Sequence, residues 1–143
     1  MNGDTDPRTR AYGPPPGAPV SGFEFTLSGL PEVRFFAEAQ AREAGLHDDE
    51  AGDLVLAVNE VATNAVTHGS ATARVRSWSD GGDLVIEIYD RGVWTDEDYG
   101  RTRPAPNATR GMGLWVARLL SASVQFHPEP EGTTVILRFT GKG

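Results

Sequence analysis

The stretch that decides the fold is Leu54 to Gly69, LVLAVNEVATNAVTHG. At about 100° per residue, its apolar positions fall on one stripe of a helix that faces a core. Glu60, Asn64 and His68 follow one another at intervals of four residues, so they line up along the flank of that stripe. An acid and a carboxamide one turn apart can act on one small charged target. The acid polarises a water or hydroxyl, and the amide oxygen binds a hard cation.

Taken alone, these three residues also fit a structural role. Glutamate and asparagine beside a helical core are commonly solvated flank residues. A histidine in the last turn of a helix, just before Gly69, interacts favourably with the helix dipole and can cap the helix. The functional interpretation therefore depends on further segments of the chain.

Composition excludes several classes of function. The 143 residues fit one domain, and the absence of cysteine excludes disulfides, thiolate zinc sites and cysteine nucleophiles. A formal charge of −7 disfavours direct binding to nucleic acid. No apolar run approaches the roughly 20 residues of a membrane helix. We expect a soluble, cytoplasmic protein that contacts neither nucleic acid nor membrane.

The first half of the chain divides into a tail and three predicted elements. Residues 1–22 are rich in proline and glycine and predict a flexible tail, which leaves 23–143 as the folded domain. Alternation over Phe23 to Leu27 predicts an edge strand. Helical spacing from Leu30, with Pro31 in the first turn, predicts a helix that ends at Gly45. The helix described above follows, and Asp48 or Asp49 could cap it.

The second half predicts two hairpins separated by a loop and a helix. The predicted segments are strands at 71–79 and 84–90, a long loop at 91–110, a helix from about 113 to 122, and strands at 124–127 and 133–139 around a turn at 128–132. Strands and helices are partly segregated along the chain. This order predicts an α+β fold, a two-layer α/β sandwich with helices packed on one face of a mixed sheet.

Two glycine-containing segments fall where a ligand site would need them. Asp90 and Gly92 follow a predicted strand, so the carboxylate could accept a hydrogen bond from the amine of a base while the glycine lets a flat ring approach. Gly111 and Gly113, preceded by Arg110, open a predicted helix whose backbone amides could bind phosphate. Each motif is weak alone, since such sequences also form ordinary turns and hinges.

The ordered set, Glu60-x-x-x-Asn64, then Asp90-x-Gly92, then Gly111-x-Gly113, resembles the N, G1 and G2 boxes of the GHKL ATPase superfamily, which has the Bergerat or histidine-kinase-like fold. Within it the chain resembles anti-sigma factors that are serine/threonine protein kinases. The resemblance covers about Phe23 to Phe139. One departure is that Val93 and Trp94 follow Gly92, where many members have a second glycine.

The resemblance implies ATP and Mg²⁺ as cofactors and gives each box a role. It implies that Asp90 accepts the adenine amino group and that Gly92 flanks the adenine pocket. Thr133 or Thr134 would be the polar residue that closes the adenine site. Residues 91–110 would form the ATP lid.

The other boxes would handle the phosphates and the reacting hydroxyl. The resemblance implies that Asn64 is the protein ligand of the magnesium ion and that Glu60 is the general base for a serine or threonine of a partner. Arg110, Gly111 and Gly113 would hold the phosphates. These roles agree with the preference of a hard cation for oxygen ligands and with phosphoryl transfer as mainly positioning and charge neutralisation.

Three functions remain open from the sequence. The first is an ATP-dependent serine/threonine kinase that acts on a STAS-type anti-sigma antagonist and binds a sigma factor, with homodimerisation implied by the resemblance. The second is a protein-binding switch that depends on nucleotide but transfers no phosphate. The third is a scaffold that has lost the nucleotide. We expect the first of these, the kinase-type anti-sigma regulator, with the nucleotide-dependent switch as the alternative.

Overall fold

The computed structural model describes residues 13–92, 116–117, 119–121 and 123–140. A 3-10 turn at Leu27–Gly29 precedes the first helix, and the second helix ends in a π turn at Ala65–Gly69. Within the described ranges, neither helix has the length and apolar character that crossing a membrane would need. The elements in chain order are β1 (Ser21–Phe25), α1 (Leu30–Glu43), α2 (Asp48–Asn64), β2 (Ala73–Asp80), β3 (Asp83–Asp90), β4 (Ser123–Glu129) and β5 (Gly132–Thr140).

The helix starts follow from local chemistry. Helix α1 begins at Leu30 with Pro31 in its first turn, as predicted, and the chain leaves it through Gly45 at a φ of 83°. The predicted cap of α2 was wrong by one residue, because His47 is the N-cap. The backbone N–H of His47 donates to Oε1 of Glu50 at 3.0 Å. Asp48 and Asp49 lie instead in the first turn, where their charge favours the positive end of the helix dipole.

The described strands form one sheet in the order β1-β2-β3-β5-β4, with β1 at an edge as predicted. All four pairings are antiparallel, so the prediction of a mixed sheet was wrong for the described strands. Two of these antiparallel pairings, β2 with β3 and β4 with β5, are hairpins. Gly81 and Gly82, at φ values of 62° and 90°, join β2 to β3 through the predicted turn. The turn from β4 to β5 is tighter than predicted, because pairing continues to Glu129 and Gly132.

Helices α1 and α2 pack on one face of this sheet, which confirms the α+β sandwich. Leu54, Val58, Val61 and Ala65 are fully buried, so the predicted apolar stripe of α2 is the face that meets the core. From the sheet, alternate residues of β2, β3 and β5 complete the core. They are Val75, Ile86, Ile88, Val135 and Leu137, all without exposed surface.

The other face of the sheet, which we call the open face, has a different composition. Trp78, Val85 and Ile136 form a small apolar cluster there. Charged side chains surround this cluster, and the Arg76 guanidinium carbon lies 5.4 Å from the centre of the Trp78 ring.

Several predicted segments lie outside the described residues. They are positions 1–12 of the predicted tail, 93–110 of the predicted lid, and the start of the helix predicted from residue 113. In the remainder of that predicted helix, residues 116, 117, 119 and 120 are helical.

Candidate functional site

The C-terminal end of α2 widens into a π turn where it approaches the sheet. The backbone N–H of Ser70 donates to the carbonyl of Ala65 at 2.9 Å, and the hydroxyl of Thr67 donates to the carbonyl of Thr63 at 2.7 Å. Threonine hydroxyls that bond back to the helix in this way often bend it, and single π turns often occur at functional sites. The turn brings Gly69 against the end of β3.

Asp90 is the last residue of β3, and only 1% of its surface is exposed. The backbone N–H of Gly92 donates to Oδ1 of Asp90 at 2.6 Å. A short bond of this kind, to a charged acceptor, holds the carboxylate in one orientation. The neighbouring residues Tyr89 and Arg91 lie on the other side of the strand end.

Three glycines from three separate segments enclose Asp90, and we call this group the glycine corner: Gly69, Gly92 and Gly132. A Cβ atom on Gly69 would overlap the Asp90 carboxylate, and one on Gly92 would overlap the backbone of Gly69. A Cβ atom on Gly132 would overlap the backbone oxygen of Asp90. Because Gly132 has a φ of 154°, a side chain there would also be strained. The close approach of three backbones therefore depends on the missing side chains.

Thr133 belongs to the same corner, whereas Thr134 does not. Thr133 is directly opposite Asp90 in the register of β3 and β5, so the two side chains share a face. It is 1% exposed, and its hydroxyl donates to the carbonyl of Gly92 at 3.1 Å. Thr134 is opposite Tyr89 and therefore lies on the open face. Only Thr133 therefore shares the face of Asp90, and the role of either threonine at an adenine site stays a prediction.

Glu60 and Asn64 are half-buried on α2, one turn apart, with Asn64 as its last residue. The π turn that leads to the glycine corner begins directly after Asn64. The structure therefore places the carboxamide at the helix end that approaches Asp90. The predicted phosphate-binding residues Arg110, Gly111 and Gly113 lie outside the described residues.

The donor set fits a magnesium ion that is bound mainly through a nucleotide. Among the described residues, no group of three histidine or carboxylate side chains could hold a metal ion. A single amide oxygen, from Asn64, suits Mg²⁺, which commonly keeps several waters and takes one or two protein ligands beside substrate phosphates. The carboxylate of Asp90, held by the Gly92 N–H, suits a base with an amino group that can donate to it.

Sequence reasoning missed two residues of this corner, Gly69 and Gly132. It interpreted Gly69 as a helix stop, which is correct locally, and Gly132 as part of a turn, whereas Gly132 is the first residue of β5. Neither position shows its closeness to Asp90, because that depends on the register of β5 against β3 and on the width of the π turn. The available signal was that both glycines lie next to elements carrying candidate site residues.

The chain belongs to the histidine kinase-like ATPase domain family, whose model matches residues 23–139. Binding and turnover of ATP are therefore the class of chemistry for this fold, and the family's core is the sandwich described above.

Solved structures share the fold at low sequence identity. The RsbU and RsbW domains of Rv1364c from Mycobacterium tuberculosis match with a TM-score of 0.65 and 23% identity over 86% of this chain. This chain spans 32% of that one. The SiaB-SiaC complex from Pseudomonas aeruginosa matches with a TM-score of 0.58 and 17% identity, over 83% of this chain and 88% of that one.

A histidine kinase also matches. AdeS from Acinetobacter baumannii has a TM-score of 0.56 and 13% identity, over 86% of this chain and 68% of that one. The fold is thus similar to a histidine kinase as well as to the RsbU–RsbW and SiaB-SiaC structures, so the fold alone does not select the substrate.

Proposed function

We propose that this chain is an ATP-binding anti-sigma regulatory factor with serine/threonine protein kinase activity towards an anti-sigma antagonist. Its partners would be that antagonist, of the STAS type, and a sigma factor, which it controls by partner switching in the cytoplasm. The observation that carries the proposal is the glycine corner around Asp90, reached by the helix that bears Glu60 and Asn64. Membership of the ATPase family supports ATP as the ligand.

Asp90 would bind the base in this proposal. Its carboxylate only accepts hydrogen bonds when ionised, so it would accept one from the amino group of adenine. The bond from Gly92 fixes the carboxylate, and Thr133 fixes the carbonyl of Gly92 in turn. The three glycines would let the surrounding backbones approach closely enough to keep this carboxylate in place.

Asn64 and Glu60 would act at the phosphate end. Asn64 would supply an amide oxygen to the magnesium ion, which neutralises phosphate charge when bound. Glu60, one turn earlier on the same face, would accept the proton of the attacking serine or threonine hydroxyl. Arg110, Gly111 and Gly113 would hold phosphate oxygens, and residues 91–110 would cover the nucleotide.

Two structural matches support the choice of partner class. One solved chain contains an RsbW domain beside an RsbU domain, and another structure holds SiaB in complex with SiaC. Both agree with the resemblance of the three sequence boxes to anti-sigma kinases. The division into a tail at 1–22 and an ATP-binding domain at 23–143, and a homodimer, are parts of the same proposal.

Transfer of labelled phosphate tests the proposal. With ATP, Mg²⁺ and the antagonist encoded nearest to this chain, wild type should label the antagonist on serine or threonine. Glu60→Gln should reduce the rate by about 10²-fold or more, since general bases contribute on that scale. Glu43→Gln, which changes the exposed glutamate at the end of α1, is the matched control and should label at the wild-type rate.

The same variants separate the alternative function. If Glu60→Gln lost no transfer, Glu60 would not be the base. If wild type bound ATP and released its partner on nucleotide addition without any label on the antagonist, the chain would be a nucleotide-dependent switch that transfers no phosphate.

A further inference from the structure

A second concave site lies on the open face, behind the glycine corner. It is a cavity of about 480 Å³ lined by residues of β1, β2 and β3 and by the connection from the π turn to β2. Tyr89 and Arg91, on either side of Asp90 in the sequence, both line it. Because side chains alternate along a strand, Asp90 faces the helices while Tyr89 faces this cavity. The cavity is therefore separate from the proposed nucleotide site.

The lining brings cationic and hydroxyl groups together on a chain of net charge −7. Arg74 and Arg91 supply guanidinium groups, and Thr72 supplies a hydroxyl. The hydroxyls of Ser70 and Tyr89 already donate to the carbonyls of Thr72 and Glu131, so they shape the cavity without donating to a ligand. The backbone N–H of Arg91 donates to the hydroxyl of Ser70 at 3.0 Å, which holds the backbone of Arg91 at the rim of the cavity.

The neighbours of Arg74 accept hydrogen bonds from only some of its N–H groups. Its NH2 group lies 3.3 Å from Oε1 of Glu87, whereas Arg76 contacts both oxygens of Glu87 at 2.6 and 2.9 Å. The Nε atom of Arg74 is buried and has no hydrogen-bond partner among the described residues. A ligand in the cavity cannot reach this buried atom, so the terminal nitrogens of Arg74, whose side chain is 41% exposed, are the ones that would bind an oxyanion.

Arg74 is also held in place for such an acceptor. Its guanidinium carbon lies 5.3 Å from the centre of the Tyr89 ring. The Tyr89 hydroxyl is fixed in turn, because it donates to the carbonyl of Glu131 at 2.9 Å. A guanidinium stacked on a fixed ring loses less conformational freedom when it binds a planar or tetrahedral oxyanion.

The geometry points to this cavity as an oxyanion-binding site, which takes one carboxylate or phosphoryl group through Arg74 and Arg91. The inference goes beyond the proposed function, because of the residues proposed for the nucleotide site it uses only Arg91, the first residue of the proposed lid. On a partner protein the group would be an acidic or a phosphorylated side chain.

Glu24 allows a test of whether oxyanion affinity rises or falls when one charge in the cavity is removed. This exposed carboxylate lines the same cavity and is opposite Arg74 in the register of β1 and β2. It must repel a bound oxyanion, since like charges at close range disfavour each other. Removing its charge should therefore strengthen binding, whereas removing the charge of Arg74 should weaken it.

The test is an NMR titration of the full chain without nucleotide, in which the Nε–H signals of the arginines are followed. Inorganic phosphate and acetate are added in separate series at constant ionic strength. We expect saturable shifts at Arg74 and Arg91 in at least one series, and the series with tighter binding shows whether the site prefers a phosphoryl or a carboxyl group. The Nε–H signal of Arg138, which lies near Asp80 and Asp83 elsewhere on the open face, should not saturate.

Three variants complete the test. Arg74→Gln should weaken binding about tenfold, as expected for losing a hydrogen bond to a charged group. Arg138→Gln removes the same charge elsewhere on the open face and should bind like wild type, and Glu24→Gln should bind more tightly. Shifts that never saturate, or weakening in Arg138→Gln equal to that in Arg74→Gln, would overturn the proposal, because either result would indicate general electrostatic attraction only.

Discussion

Strand β3 carries two buried carboxylates on opposite faces, and they are held in different ways. Glu87 faces the open side with 2% of its surface exposed, and Asp90 faces the helices with 1% exposed. Arg76 contacts both oxygens of Glu87, and Arg74 approaches one of them. At Asp90 a backbone N–H makes the short contact, and three glycine backbones crowd around it.

The difference shows how burial of the same chemical group serves two purposes. Bidentate arginine contacts to Glu87 satisfy its charge within the sheet, which is a structural arrangement. Around Asp90 the missing side chains allow three backbones to pack closely, so the corner holds one fixed acceptor at the end of β3. We therefore expect changes at Glu87 to affect stability and changes at the glycine corner to affect nucleotide binding.

The largest expected effect is on stability, from Glu87→Ala. The substitution leaves Arg74 and Arg76 without their acceptor, and removal of one partner of a buried ion pair costs about 3 kcal/mol. We expect the loss in free energy of unfolding to be no larger than this value, because the side chains of Arg74 and Arg76 are 41% and 29% exposed. Urea denaturation measures the change, with Glu43→Ala as an exposed control. Unchanged stability would remove the structural role of Glu87.

The next effect is on ligand affinity, from Gly69→Ala. The added Cβ atom must displace the Asp90 carboxylate or the π turn, so we expect nucleotide affinity to fall about tenfold or more. Titration calorimetry with an ATP analogue and Mg²⁺ measures it. Wild-type affinity in this variant would show that the corner does not position Asp90 for the ligand.

Gly52→Ala is the matched control, because Gly52 lies in the same helix with open space around its Cα. Removing the flexibility of a helical glycine should raise the free energy of unfolding by about 0.5–1 kcal/mol and leave nucleotide affinity unchanged. A loss of affinity in this control would show that any change in α2 disturbs the site.

The smallest expected effect is on the pH dependence of stability, through His127 on the open face. Burial lowers the pKa of His127 in β4 below its ordinary value of 6.5, with Glu129 acting in the opposite direction. The unfolded chain therefore binds a proton more readily than the folded one, so stability should fall as the pH drops below about 6.5. Denaturation at about pH 7.5 and 5.5 should show a smaller loss in His127→Gln than in wild type. An equal loss would assign the pH dependence to other groups.

The parts of the fold that depend on local pattern were predictable. The apolar stripe of α2, the start of α1 at Leu30 and the hairpin through Gly81 and Gly82 are all set by residues close in sequence. The antiparallel sheet was not predictable, because the pairing of β3 with β5 joins segments that are far apart in the sequence, Asp83–Asp90 and Gly132–Thr140.

The site residues show the same distinction between what local sequence predicts and what depends on distant segments. Spacing alone placed Glu60 and Asn64 on one flank of α2 and Asp90 at a strand end. Knowing that Thr133, and not Thr134, shares the face of Asp90 required the strand register, since neighbouring residues of a strand face opposite sides. The closeness of Gly69 to Asp90 required the π turn, which no local residue pattern indicates.

One titration tests the central claim most directly: calorimetry of a non-hydrolysable ATP analogue with Mg²⁺ against wild type, Asp90→Asn and Glu87→Gln. Asparagine replaces an acceptor by an amide that can present a donor to the adenine amino group. We expect Asp90→Asn to bind at least about tenfold more weakly and Glu87→Gln to bind like wild type. Equal affinity of wild type and Asp90→Asn would contradict the assignment of the glycine corner as the adenine site.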